Sequence, residues 1–201
     1  MKKELTFYFA IISFATTTLS FSQNHYFGIK AGYTKSMPAS PDNQVNFSEN
    51  NIEISQGVNR FKGLDGFQIG IYSHIDFGYD FIHLDFAPQY SKYGFQNNGD
   101  INYDYFDFDI GISNLNSEVV SKFVLGLGVT PSFVLSSKQI ENINNFDLKV
   151  YLLFGYRFYK DYVIYSQLRY GVIEIIPESK ITNLQLSLNL NIPILKIKKW
   201  N

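Results

Sequence analysis

The sequence predicts an all-β fold: an eight-stranded antiparallel up-and-down transmembrane β-barrel with short periplasmic turns and longer extracellular loops. Three observations predict it. Segments of period two recur between Tyr26 and Ile194, bounded by Gly, Asn, Asp, Ser and Pro. No segment after Gln23 holds a helical period over a useful length. The face that carries glycine is the polar one, and the bulky apolar residues share the other.

The first 22 residues have the pattern of a cleavable secretory signal peptide. Lys2 and Lys3 supply the positive start, Leu5 to Ala15 the short apolar run, and Ser20 and Ser22 the small residues before a cut at Gln23. The run is shorter than the ~20 residues of a spanning helix. The expected mature unit is then one barrel domain over 23–201.

Eight strands follow in order. In "YFGIKAGYT", Phe27, Ile29, Ala31 and Tyr33 face away from Gly28, Lys30 and Gly32. In Leu64–Ile75, Phe67, Ile69, Ile71 and Ile75 oppose Gln68, Gly70, Tyr72 and His74. In Phe81–Tyr93, Ile82, Leu84, Phe86 and Tyr90 oppose His83, Asp85, Gln89 and Ser91. In Tyr105–Ser113, Phe106, Phe108, Ile110 and Ile112 oppose Asp107, Asp109 and Gly111. Lys122–Leu135 sets Phe123, Leu125, Leu127 and Val129 against Val124, Gly126, Gly128 and Thr130. Phe146–Phe158 sets Leu148, Val150, Leu152, Phe154 and Tyr156 against Asp147, Lys149, Tyr151, Gly155 and Arg157. Tyr162–Gly171 sets Tyr162, Ile164, Leu168 and Tyr170 against Val163, Tyr165, Gln167 and Arg169. The last strand, from about Ile181 to Ile194, reads "NLQLSLNLNIPI" and alternates Leu or Ile with Gln, Ser and Asn.

The connections alternate in expected length. Asp76–Asp80, Asn114–Ser121 and Tyr159–Asp161 are short, while Lys35–Gly63, Gly94–Asp104, Ser136–Asn145 and Val172–Lys180 are long. In a meander this places all the long loops at one end.

Alternation alone fits two barrels: a secreted soluble lipocalin-like barrel that holds an apolar ligand, or a membrane barrel with the faces reversed. Size separates them. An eight-stranded barrel has an interior only just wide enough for side chains to fill it. The polar face carries Gly28, Gly32, Gly70, Gly111, Gly126, Gly128, Gly155 and Gly171, with Ser91, Ser113 and Ser187, so that face points inward. The Phe, Ile, Leu and Val face then coats a lipid-facing wall. Tyr90, Tyr93, Tyr103, Tyr105, Tyr156, Tyr162 and Tyr170 lie near strand ends and are expected in the interfacial girdles.

Composition excludes several functions. The net charge is −1, which leaves no global field for nucleic acid. The absence of cysteine removes disulfides, thiolate metal sites and a cysteine nucleophile. His25, His74 and His83 stand singly, without zinc spacing. No cofactor fingerprint appears, so no cofactor is expected.

The stretch "LDFAPQYSKYGFQNNGDINYDYFDFDIGI" resembles the signature hairpin of the PorT-type outer-membrane β-barrel family. It carries Pro88, then Tyr90-Ser91, Lys92 and Gly94, a loop, and a strand led by Tyr103. The fifth strand, with its glycines, and "LRYGVIEI" resemble the family too. Asp107 and Asp109 depart from it, where the family continues "Leu-x-x-Pro", and so does the basic tail "LKIKKWN". The resemblance implies the fold and an outer-membrane location in a Gram-negative envelope, and carries no catalytic residue.

The candidate site is therefore a structural polar network in the lumen: Lys30, His83, Asp85, Asp107, Asp109, Lys149, Arg157 and Arg169. Asp85 and Asp109 are expected to pair with Arg157 and Arg169 across the lumen and close it. A hydrolase built from His83, Asp85 and Ser91 is the enzymatic alternative; a hydrogen-bonded lumen network accounts for the same residues without catalysis. Expected partners are outer-membrane lipid and an extracellular or periplasmic protein met through the loops, with no nucleic acid.

Overall fold

The structure is a computed structural model that describes residues 24–39, 44–48, 51–55, 62–76, 83–96, 100–114, 122–137, 144–158, 162–175 and 182–198. The predicted leader, residues 1–22, lies outside them. Among the described residues there are ten strands: β1 (Asn24–Ala39), β2 (Gln44–Ser48), β3 (Asn51–Ser55), β4 (Lys62–Asp76), β5 (His83–Gln96), β6 (Asp100–Ser113), β7 (Phe123–Ser137), β8 (Phe146–Arg157), β9 (Val163–Gly171) and β10 (Thr182–Lys198). Eight of them close a barrel in the order β1-β10-β9-β8-β7-β6-β5-β4, and β2 and β3 form a separate two-stranded sheet. Every barrel pair is antiparallel, and β1 seals the cylinder between β10 and β4. Closure gives each of the eight barrel strands a neighbour on both sides, so the barrel itself has no edge strand.

The alternation of side chains sets the two surfaces. Ile71 is 60% exposed, Leu127 54%, Leu152 63% and Leu188 51%, while Lys30 and Arg169 are 1% and 0% exposed. Apolar bulk is outside and charge is inside. On β9 every second residue is buried, beginning with Val163 and ending with Gly171. An interior apolar cluster of Val124, Val163 and Tyr165, with Leu153 against it, fills part of the axis. This rules out a lipocalin-like apolar lumen, because the buried charges occupy the space that an apolar ligand would need.

One β-bulge has a clear cause. Phe27 pairs with Leu195 and Gly28 with Pro193, so Ile194 is the extra residue on β10. A proline gives no ladder hydrogen bond, and a bulge absorbs it. Beyond the bulge Leu195 and Ile197 are exposed, while Lys196 sits over the buried Tyr26 ring at 4.4 Å.

Two expected loops differ. Within Lys35–Gly63, β1 continues to Ala39, β4 starts at Lys62, and β2 pairs with β3. The alternation of Val45 and Phe47 and of Ile52 and Ile54 is short and diluted by Asn, Ser and Glu, which hid it. Within Gly94–Asp104 the strands run on until Gln96 pairs with Asp100, leaving only residues 97–99 between them. Tyr93 pairs with Tyr103 and its ring stacks on that of Tyr105 on the facing strand, and such cross-strand aromatic contact favours ladder over loop.

Candidate functional site

Asp109 is the hub of the interior. It stands on β6 at 4% exposure. Its carboxylate accepts hydrogen bonds from Lys30 Nζ at 2.5 Å, Arg169 Nη2 at 2.8 Å, Thr130 Oγ1 at 2.6 Å and Gln167 Nε2 at 3.2 Å. Lys30 comes from β1, Thr130 from β7, Gln167 and Arg169 from β9, and Gln89 of β5 adds its Nε2 at 3.4 Å, so four strands converge on one carboxylate. Arg169 is held in turn: Nη1 donates to Gln68 Oε1 at 2.8 Å and to Gln185 Oε1 at 3.3 Å. Buried charge is tolerated only when paired and hydrogen-bonded, and here each ion has several partners.

A second layer forms around Lys149. Its ammonium donates to Ser132 Oγ at 2.6 Å, to Asp107 Oδ1 at 3.3 Å and to the Tyr93 hydroxyl, and lies 3.8 Å from Asp147. It also sits 5.0 Å from the Tyr93 ring centre and 4.6 Å from that of Tyr105. Those two rings stack at 4.6 Å with 5° between their planes. The first layer holds two cations and one carboxylate; the second holds one cation and two carboxylates. Together Lys30, Lys149 and Arg169 balance Asp107, Asp109 and Asp147.

A third group joins β4 and β5. His74 pairs in register with Asp85, and its Nδ1 contacts the Asp85 carboxylate. The His83 ring lies 4.7 Å from that of His74, and Tyr26 meets His74 edge-on at 6.1 Å. The two histidines expected to stand singly are thus neighbours, because antiparallel pairing folds residue 83 back beside residue 74. The His25 side chain lies outside the described residues. Among the described residues no three His, Asp or Glu groups are placed to hold a metal.

The expected cross-lumen pairing is half realised. Asp109 meets Arg169, but Asp85 meets His74 rather than Arg157. Arg157 lies at the end of β8, where its backbone N–H donates to Lys122 O at 2.7 Å, and its Nε and Nη2 find no hydrogen-bond partner among the described residues. Counting residues from the turns misjudges depth, because barrel strands are tilted and staggered from one to the next.

Three tyrosines expected in the lipid girdles are inside. Tyr93, Tyr103 and Tyr105 are each 1% exposed. They share parity with Ser91 on β5 and with Asp107 on β6, so the same alternation that placed those residues inward places the rings there. Tyr33 and Tyr90 do face outward; Tyr33 donates to Asp65, and Tyr90 to Asp104 at 2.8 Å. Lys35 lies 3.7 Å from Asp65, so a charged row follows the apolar wall at that end.

The interior does not assemble the His83–Asp85–Ser91 hydrolase. His83 and Ser91 lie on one extended strand eight residues apart, a separation of about 26 Å at strand rise. Ser91 is also fully buried.

Among known proteins, the chain is similar to the Neisserial surface protein A structure at a TM-score of 0.50 and 15% identity, over 84% of this chain and 97% of that one. It is also similar to Ail, the attachment invasion locus protein of Yersinia pestis, at a TM-score of 0.45 and 13% identity, over 86% of this chain and 99% of that one. The outer membrane protein OprG of Pseudomonas aeruginosa gives a TM-score of 0.44 and 12% identity, over 89% of this chain and 98% of that one. At 15% identity the likeness to the Neisserial protein is one of fold and transfers no residue role. No family model matches the chain, and no curated relative matches it in sequence.

Proposed function

We propose that this chain is a non-enzymatic integral protein of an outer membrane, with lipid against its outer wall and its lumen closed by the ionic layers around Asp109 and Lys149. One observation carries the reading: Leu127, Leu152 and Leu188 are more than half exposed while Lys30, Lys149 and Arg169 are at most 1% exposed. Water would meet such a wall at a large free-energy cost; each leucine left out of water instead gains about 2 kcal/mol. On β7 the outward series runs from Phe123 to Leu135, which at strand rise and a tilt of about 40° spans roughly 30 Å, enough for the ~25 Å apolar band of an outer-membrane barrel. The PorT-type resemblance of Pro88 to Tyr103 and the leader pattern at residues 1–22 support the same compartment.

The role is structural, or one of binding an extracellular or periplasmic protein through the loop-bearing end. Fractionation of the envelope tests the compartment: recovery with the outer membrane is expected, and recovery in the soluble periplasm would sink the reading. Planar-bilayer recording tests the lumen. The expected record shows no steady conductance, and a large steady current would mean that the ionic layers do not close it.

A further inference from the structure

The barrel interior holds a cavity of about 30 Å³ between two of its charged groups. The Asp109 hub borders it through Lys30, Asp109 and Gln167. The His74–Asp85 pair borders it through Asp85, whose Oδ1 contacts His74. Among the described residues, neither His74 nor Asp85 makes a hydrogen bond to Lys30, Asp109 or Gln167. The two groups are thus separate networks of side chains that face one small space.

Three groups at this space have hydrogen-bonding capacity that the protein leaves unused. An ammonium has three N–H donors, and Lys30 gives two of them, to Asp109 at 2.5 Å and to Gln167 at 3.4 Å. Asp85 uses one oxygen on His74 and keeps the other, with its side chain 22% exposed. Tyr151 lines the cavity, is 5% exposed, and its hydroxyl makes no hydrogen bond to a described residue. Its ring is packed over the inner wall, where a Cβ at Gly128 would lie 2.6 Å from Cζ, so the hydroxyl cannot swing to a partner elsewhere. A buried hydroxyl without a partner costs its full desolvation. Apolar cavities stay dry, whereas polar ones hold water when each molecule finds two to four partners and about 10–15 Å³. Lys30 and Tyr151 can donate here and Asp85 can accept, and the volume has room for about two molecules.

We propose that this cavity is a binding site for a pair of water molecules, held by Lys30, Tyr151 and Asp85, that joins the His74–Asp85 pair to the Asp109 hub. The interior is then one hydrogen-bonded network from His74 on β4 to Arg169 on β9. The bound pair fills the space beside the Asp109 layer, so it completes the closure of the lumen. The site lies wholly among inward-facing polar groups, and it holds whichever solvent meets the outer wall.

Ala87 lines the cavity and is 6% exposed, so Ala87→Leu puts added carbons into the space. Water magnetic relaxation dispersion, on the full chain folded in detergent, counts the waters that a protein holds for longer than nanoseconds. The unaltered chain is expected to hold about two more than Ala87→Leu. Equal counts would overturn the site. The sign of the stability change is a second reading. Leucine in a dry cavity would raise the denaturant midpoint by filling space. Leucine that displaces water from Lys30, Tyr151 and Asp85 should lower it, because those groups lose their partners. A raised midpoint would overturn the site. A measurement on the unaltered chain guards against a variant that does not fold. The Ala87 methyl group has no exchangeable proton, so direct cross-relaxation between it and water is expected. Its absence would also overturn the site.

Discussion

Asp109 on β6 accepts a hydrogen bond from Arg169 on β9 at 2.8 Å, across the interior of the barrel. Two strands lie between β6 and β9 in the wall, so the pair braces the cylinder from within. The same carboxylate holds Lys30 of β1, and the three groups tie together strands that share no ladder.

Asp109→Asn should therefore be severe. It keeps the shape but leaves Lys30 and Arg169 buried with one counter-charge fewer, a loss of about 3–5 kcal/mol. Denaturant titration in detergent, followed by circular dichroism, measures it. Asp65→Asn, at the exposed rim beside Lys35, should move the midpoint by no more than about 0.5 kcal/mol.

Lys149 and Asp107 should be coupled. Lys149→Met removes the ammonium that stands between the Tyr93 and Tyr105 rings and two carboxylates. Combining it with Asp107→Asn restores the charge balance of that layer. The double variant should lose less stability than the two single losses added together, by at least about 1 kcal/mol. Strict additivity in the same titration would show that the ions do not act as a unit.

The outer wall should respond to charge by depth. Leu127→Arg, in the middle of the β7 apolar series, is expected to cost about 2–4 kcal/mol in lipid vesicles. Leu135→Arg, at the end of that series, should cost no more than about 1 kcal/mol. Unfolding titrations from bilayers compare the two. Similar small values at both positions would mean that the wall meets water.

Two glycines on the same face of β7 should differ in tolerance. A Cβ at Gly128 would lie 2.6 Å from Tyr151 Cζ and 2.6 Å from Gly111 Cα. At Gly126 the nearest atoms are Ser113 Cβ at 2.9 Å and the Ile112 carbonyl oxygen at 3.0 Å. Gly128→Ala should lower stability by about 1–3 kcal/mol and Gly126→Ala by less. The reverse order in thermal melts would contradict the packing of Tyr151 over Gly111 and Gly128.

What the amino-acid sequence determined alone was the pattern of faces. Period two dictates which residues share a side, and the narrowness of an eight-stranded lumen dictates that glycine and polar groups take the inside. Both rules are local or depend only on strand number, so Leu186, Leu188, Gln185 and Ser187 could be placed from the text of β10. The same rule placed Tyr93, Tyr103 and Tyr105 inward, against their assignment to the girdles. Only the tertiary structure decided who meets whom inside. Asp85 took His74 instead of Arg157, and Asp109 gathered Lys30, Thr130, Gln167 and Arg169, because strand tilt and stagger shift the depth of each residue by amounts that no single strand encodes.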